Sequence, residues 1–187
     1  MGFEQAVAKV LDHEGGFVDD PADRGGMTFM GISRRWFPDE PFWEKIDALL
    51  SEGRNPNEAM DELRPDVKDF YRREFWDKHG CETLPESIKE RHFDFTINAG
   101  AGSSTKIIQT LGNVFCQEEL GGVIDEDGLT GPATRRAIEA LGNLGEDMQE
   151  ILPIAYRSLQ GVHFLDIYKS DRSQIRFIRG WLLNRAS

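Results

Sequence analysis

Apolar side chains recur at three- and four-residue intervals along most of this 187-residue chain, and almost no stretch alternates with period two. That spacing lines one face of a helix and cannot line one face of a sheet, so the class read from the sequence is all-α. Phe3, Val7, Val10 and Leu11 mark a first helix over about 2–14, and Phe42, Ile46, Leu49 and Leu50 mark a second from 42. A short helix over about 56–63 has Asn55 as its N-cap and Pro56 at its first position, where each residue type is favoured. Longer helices are predicted over about 65–79, 86–99, 104–116, 132–141, 150–168 and 171–185. Ser103 or Ser104 caps the 104–116 helix, Pro132 opens the next, and Asp171 or Ser173 caps the last. Of the 19 glycines, 13 gather at 15–16, 25–31, 100–102, 121–131 and 142–145, between these segments, where they act as punctuation. Residues 17–32 read as a loop or short β-hairpin after the first helix. Gly100-Ala101-Gly102 is the expected division, giving parts 1–100 and 101–187 whose apolar faces are expected to pack together; the 118–131 loop is the alternative boundary.

Charge removes several functions. With 33 acidic against 22 basic residues the formal net charge is −11. Binding nucleic acid needs a basic surface that neutralises phosphates, and here the Arg pairs are short and flanked by acids. An acidic chain also gains no general attraction to an anionic membrane. No apolar run approaches the ~18 residues of a membrane span, and the N-terminus lacks the charged start and apolar stretch of a signal peptide. Synthesis in the cytoplasm is therefore expected, and a monomer. Cys81 and Cys116 have no metal-ligand spacing and read as buried thiols, with one bridge as the alternative in an oxidising compartment. No cofactor and no metal are expected. His13-Glu14-Gly15-Gly16-Phe17 lacks the second His of a zinc helix, and Asp125-Glu126-Asp127-Gly128 sets Val123 and Thr134 where a calcium loop needs acids.

The chemistry concentrates between His13 and Ile32. Glu14 lies in the last turn of the first helix, just before Gly15-Gly16. The helix dipole leaves partial negative charge at that end and disfavours an ionised carboxylate there. This suits a group that must hold a proton and then donate it. Asp23 lies nine residues on, across a Gly-rich loop that can fold it back towards Glu14. Two facing carboxyl groups serve glycosidic-bond hydrolysis: one protonates the leaving oxygen, while the other activates water or steadies the oxocarbenium-like transition state. Thr28 is placed to position that water, and Asp19 and Asp20 compete with Asp23 for the second role.

Glu14-Gly15-Gly16-Phe17, Asp20-Pro21, Asp23, Gly25-Gly26, Thr28 and Gly31-Ile32 together resemble the N-terminal signature of the glycoside hydrolase family 108 N-acetylmuramidases. Tyr71 with Phe75-Trp76-Asp77, Phe93-Asp94 with Asn98 and Gly100, and Gly180-Trp181 extend the resemblance. Asp127-Gly128-Leu129-Thr130-Gly131-Pro132-Ala133-Thr134 is similar to the turn of that family's C-terminal, predicted peptidoglycan-binding part. The match covers roughly residues 5–184. It implies a lysozyme-like helical fold, Glu14 as the catalytic residue, and peptidoglycan glycan strands as the partner, cut between N-acetylmuramic acid and N-acetylglucosamine. Many such enzymes are phage endolysins, so action on the periplasmic wall after release by a holin or a dedicated secretion route is expected. Phe17, Asp20, Asp94 and Asn98 are the expected substrate-binding residues; the other reading of Asp94 and Asn98 has them bonding to neighbouring backbone.

Three features depart from the pattern. Only four residues separate Asp23 from Thr28, where phage-type lysozymes have five. Arg24 stands where the family has Pro, and the Cys116–Asp127 connection is long. A lytic transglycosylase acting on the same bond and a non-catalytic wall-binding or phage structural protein are the alternatives.

Overall fold

A computed structural model describes residues 2–13, 15–19 and 26–185. The chain divides into two compact units, Gly2–Glu74 and Phe75–Ser187. The described residues are mostly helical, with one small antiparallel sheet close after the first helix.

In the first unit, α1 (Phe3–His13) buries Phe3, Ala6, Val7, Val10 and Leu11, the predicted stripe. The Gly-rich stretch that follows is a three-stranded meander of β1 (Phe17–Val18), β2 (Thr28–Phe29) and β3 (Ile32–Ser33). Its register sets Phe17 opposite Phe29 and Phe29 opposite Ile32 on one face, with Val18, Thr28 and Ser33 on the other. Phe29 and Ile32 are buried, so the first face is the inner one. Met30 and Gly31 form the two-residue β2–β3 turn, both at positive φ (46° and 80°), as the right-handed twist of a tight hairpin requires.

α2 (Phe42–Ser51) and α3 (Met60–Tyr71) complete this unit, and Phe42, Trp43, Ile46, Leu63, Val67, Phe70 and Tyr71 fill its core. Asn55 does cap the turn after α2, accepting from the Asn57 N–H, but that turn is a 3₁₀ segment, Pro56–Ala59. A single helix then runs through Pro65, so no break separates 56–63 from 65–79. The backbone bond that Pro65 forgoes would go to Asp61, an exposed residue. α3 passes into a π-helical turn, Arg72–Asp77.

The second unit holds α4 (Glu86–Ala99), α5 (Ala101–Phe115), α6 (Gln117–Leu120), α7 (Pro132–Gly142), α8 (Glu146–Ser170) and α9 (Ile175–Arg185). α5 is its centre, packed against α4, α7 and α8, while α9 packs on α8. Ile88, Phe95, Ile108, Leu111, Leu141, Leu152 and Tyr156 form its core. A Cβ on Gly112 would lie 2.8 Å from the Ala137 Cβ, so glycine is what lets α5 approach α7 this closely. α5 starts at Ala101, straight after Gly100 at φ 84°. Ser103 and Ser104 therefore sit inside its first turn, and the buried Ser104 hydroxyl donates to the Ala101 carbonyl and accepts from Thr96. Asp171 caps the last segment as expected, taking the Ser173 N–H. Cys81 and Cys116 are buried free thiols; burial pushes the Cys116 thiol up to about 11. Among the described residues, no helix is long and apolar enough to cross a membrane.

Candidate active site

Most of the residues singled out in the sequence fall between α1 and the meander's second strand. Glu14, Asp20 and Asp23 lie outside the described residues; Phe17 and Thr28 lie within them. Two anchors hold the strand that follows Glu14. The Gly16 carbonyl accepts from the Met30 N–H at 3.3 Å. The Asn57 amide clasps Phe17 from the side, its Oδ1 accepting the Phe17 N–H at 2.6 Å and its Nδ2 donating to the Phe17 carbonyl at 3.4 Å. This clasp explains the second glycine of the motif: a Cβ on Gly16 would stand 1.9 Å from Asn57 Oδ1, far inside van der Waals contact. Asn57 is thus a positioning residue for the motif. Nothing in its neighbourhood in the sequence marks it, because its partner is 40 positions away.

Thr28 is half-buried on the outer face of the meander, between Val18 and Ser33. Phe17 is half-buried on the inner face. The meander is fixed from beneath by Tyr71, whose buried hydroxyl donates to the Met30 carbonyl at 2.9 Å. Met30 is a non-glycine residue in the left-handed region, a strained conformation that persists only when its surroundings over-determine it. Tyr71 and the bond from the Met30 N–H to Gly16 supply that determination.

After β3 the chain turns tightly, with Trp36 and Phe37 N–H groups both donating to the Ser33 carbonyl. Arg34 forms a two-pronged pair with Asp47, both bonds 2.6 Å; this contact raises the guanidinium and holds the Asp47 carboxyl below its usual range. The Arg34 guanidinium also lies 5.5 Å from the Trp43 ring. Phe37 packs edge-on against Phe70 at 4.7 Å, and its carbonyl accepts from Trp43 Nε1. Trp43 is fully buried, whereas Trp36 is 72% exposed.

Asp94 and Asn98 lie one turn apart near the end of α4, in the second unit. Asn98 Nδ2 donates to both the Asp94 carbonyl (2.8 Å) and its Oδ1 (2.9 Å). This is the local bonding that the structural reading of the pair expects. The Asp127–Thr134 turn is likewise engaged internally. Asp127 Oδ1 takes the Leu129 N–H and Gln109 Nε2, which hold its carboxyl below the usual range. Gln109 Oε1 takes the Gly128 N–H, and Thr134 bonds the Leu129 carbonyl. Gln109, on α5, is the hub of this turn and has no distinguishing signal in the sequence. Glu126, a residue of the calcium-loop reading, accepts from Thr110 and Asn113 instead.

The described residues are mostly helical with a small sheet set after the first helix, and the sequence carries Glu-Gly-Gly between the two. The glycosyl hydrolase 108 profile matches residues 7–100, half of the chain, and a predicted peptidoglycan domain matches residues 106–186. The chain belongs to the glycosyl hydrolase 108 family. Among solved structures it is similar to that of Brucella abortus SagA, at 25% identity and a TM-score of 0.50, over 98% of this chain and 95% of that one. No curated protein matches. The chain is therefore a glycoside hydrolase carrying a predicted peptidoglycan-binding domain. The family boundary near residue 100 falls later than the division into compact units, because α4 packs with α5 and α8.

Proposed function

We propose that this protein is an N-acetylmuramidase that hydrolyses the β-1,4 bond between N-acetylmuramic acid and N-acetylglucosamine in peptidoglycan. Glu14 is the general acid that protonates the leaving oxygen. Asp23 is the second carboxylate, activating water or steadying the oxocarbenium-like transition state, and Thr28 holds that water. The observation that carries this reading is the clasped strand beside the Glu-Gly-Gly motif: Gly16 and Phe17 are tied to Met30 and Asn57, in a chain whose family profile spans that segment. Such ties serve a site that must hold a proton donor still, since small displacements of a catalytic group cost large factors in rate. Under this reading the protein acts on the wall outside the cytoplasm and is released to it by a holin or a dedicated secretion route.

The test is turbidity clearing of permeabilised Gram-negative cells by the wild type and by Glu14→Gln. The expected result is clearing by the wild type and none by the variant, with the two proteins sharing one circular-dichroism spectrum and melting temperature. Lysis by Glu14→Gln at the wild-type rate would reject the assignment of the acid.

A further inference from the structure

We propose that Trp36 is a sugar-stacking platform, binding one pyranose ring of the glycan strand; this rests on the glycosidase reading above. Of the four tryptophans, Trp43 and Trp76 are fully buried and Trp181 is half-buried. Trp36 alone among them stands 72% exposed, three residues beyond the strand that pairs with Thr28. Its exposure is not that of a loose loop. The residues around it are secured inward: Arg34 by its pair with Asp47, and Phe37 by its ring against Phe70 and its carbonyl on Trp43. The Trp36 N–H is itself bonded to Ser33. The turn therefore has a fixed base from which a single large aromatic projects, and a pre-ordered group loses little conformational freedom on binding.

The surroundings favour a carbohydrate over a protein partner. The Arg35 guanidinium lies 5.7 Å from the Trp36 ring, close enough for a cation–π contact that steadies the indole. Ser33, half-buried, and Asp39, exposed, flank the same turn. A protein-docking surface needs a contiguous apolar patch, whereas this is one ring among hydroxyl and charged groups. A pyranose has matching chemistry, with an apolar C–H face to lie on the indole and a rim of hydroxyl and acetamide groups to bond around it. The position next to the meander makes Trp36 a residue that binds substrate and takes no part in bond cleavage.

The experiment compares the full-length wild type, Trp36→Ala, Trp36→Phe and Glu14→Gln. Reducing-end release from purified peptidoglycan gives kcat and KM, and intrinsic fluorescence is titrated with chitotetraose. Trp36→Ala is expected to raise KM about 5- to 10-fold with kcat changed less than about 2-fold, the pattern of lost ground-state binding. Trp36→Phe should fall between them. Chitotetraose should alter the fluorescence of the wild type and of Glu14→Gln, and this change should vanish in Trp36→Phe. An unchanged KM in Trp36→Ala, a persisting fluorescence change in Trp36→Phe, or no change in the wild type would each overturn the proposal. Failure of the hydrolase reading looks different: the wild type would release no reducing ends, whatever its fluorescence does.

Discussion

Replacing Gly16 by alanine probes the clasp that holds the motif strand. The three atoms nearest to a Cβ at this position, at 1.9, 2.9 and 3.5 Å, all belong to the Asn57 amide. That amide must swing away, and it forfeits the bonds to the Phe17 N–H and carbonyl. The first is short, at 2.6 Å, and the second long, at 3.4 Å. Both are exposed, so water replaces part of the loss, and about 1–2 kcal/mol is expected from a net contribution of roughly 0.5–1.5 kcal/mol per bond. Gly16 is not in the left-handed region, so alanine adds no backbone strain. It also narrows the unfolded ensemble, which returns roughly 0.4–1 kcal/mol. Gly16→Ala alone should thus destabilise the protein by about 1 kcal/mol, as the difference of these two effects. In an Asn57→Ala background the obstruction is gone, and the same change should stabilise by roughly 0.4–1 kcal/mol. The assay is urea unfolding followed by circular dichroism on the four proteins of the double-mutant cycle, read as midpoint shifts at constant slope. An equal cost of Gly16→Ala in both backgrounds would refute the argument.

Two further predictions concern buried polar groups. Tyr71→Phe leaves the buried Met30 carbonyl without the phenol that it accepts from at 2.9 Å, and should cost about 1–3 kcal/mol in denaturant unfolding; an unchanged midpoint would show that water replaces the hydroxyl. His92 is fully buried beside Tyr156, 3.0 Å from its hydroxyl, and burial lowers its pKa to about 3. Its neutral form is the folded one. As pH falls from about 6.5 towards 3, the unfolded chain takes up a proton that the folded chain does not, so stability drops by up to ~1.4 kcal/mol per pH unit from this group. Above pH 6.5 the group contributes no slope. Stability measured between pH 7 and 4 should fall less steeply in His92→Gln than in the wild type, and equal slopes would show that His92 is not held neutral.

The longer helices were legible because each carries an apolar stripe that the core demands; α6, four residues with none buried, lies where a loop was read. The errors sit where local rules met tertiary context. Separate helices are read over about 56–63 and 65–79, yet α3 runs across that gap and through Pro65, since the bond the proline lacks faces an exposed residue. Ser103 and Ser104 read as caps, yet Gly100 at positive φ lets α5 begin earlier and draws Ser104 into the core. The glycines made a loop or short hairpin legible after the first helix, but not the third strand, because strands of two residues are too short to show alternation. The motif around Glu14 was legible as a resemblance, as was Tyr71 within a second matching stretch, but the contacts that hold the motif were not. Asn57 and Tyr71 act across 40 and 41 positions, a distance over which no local pattern carries information. Trp36 and Trp43 are alike as sequence; only the packing of α2 buries one and leaves the other in water.

Mass spectrometry of the fragments released from purified sacculi bears most directly on how this enzyme works. Water-mediated cleavage with Glu14 as proton donor should yield disaccharide–peptides that end in reducing N-acetylmuramic acid, absent from a Glu14→Gln digest. Fragments lighter by one water, ending in a 1,6-anhydro ring, or ends on N-acetylglucosamine would contradict the account.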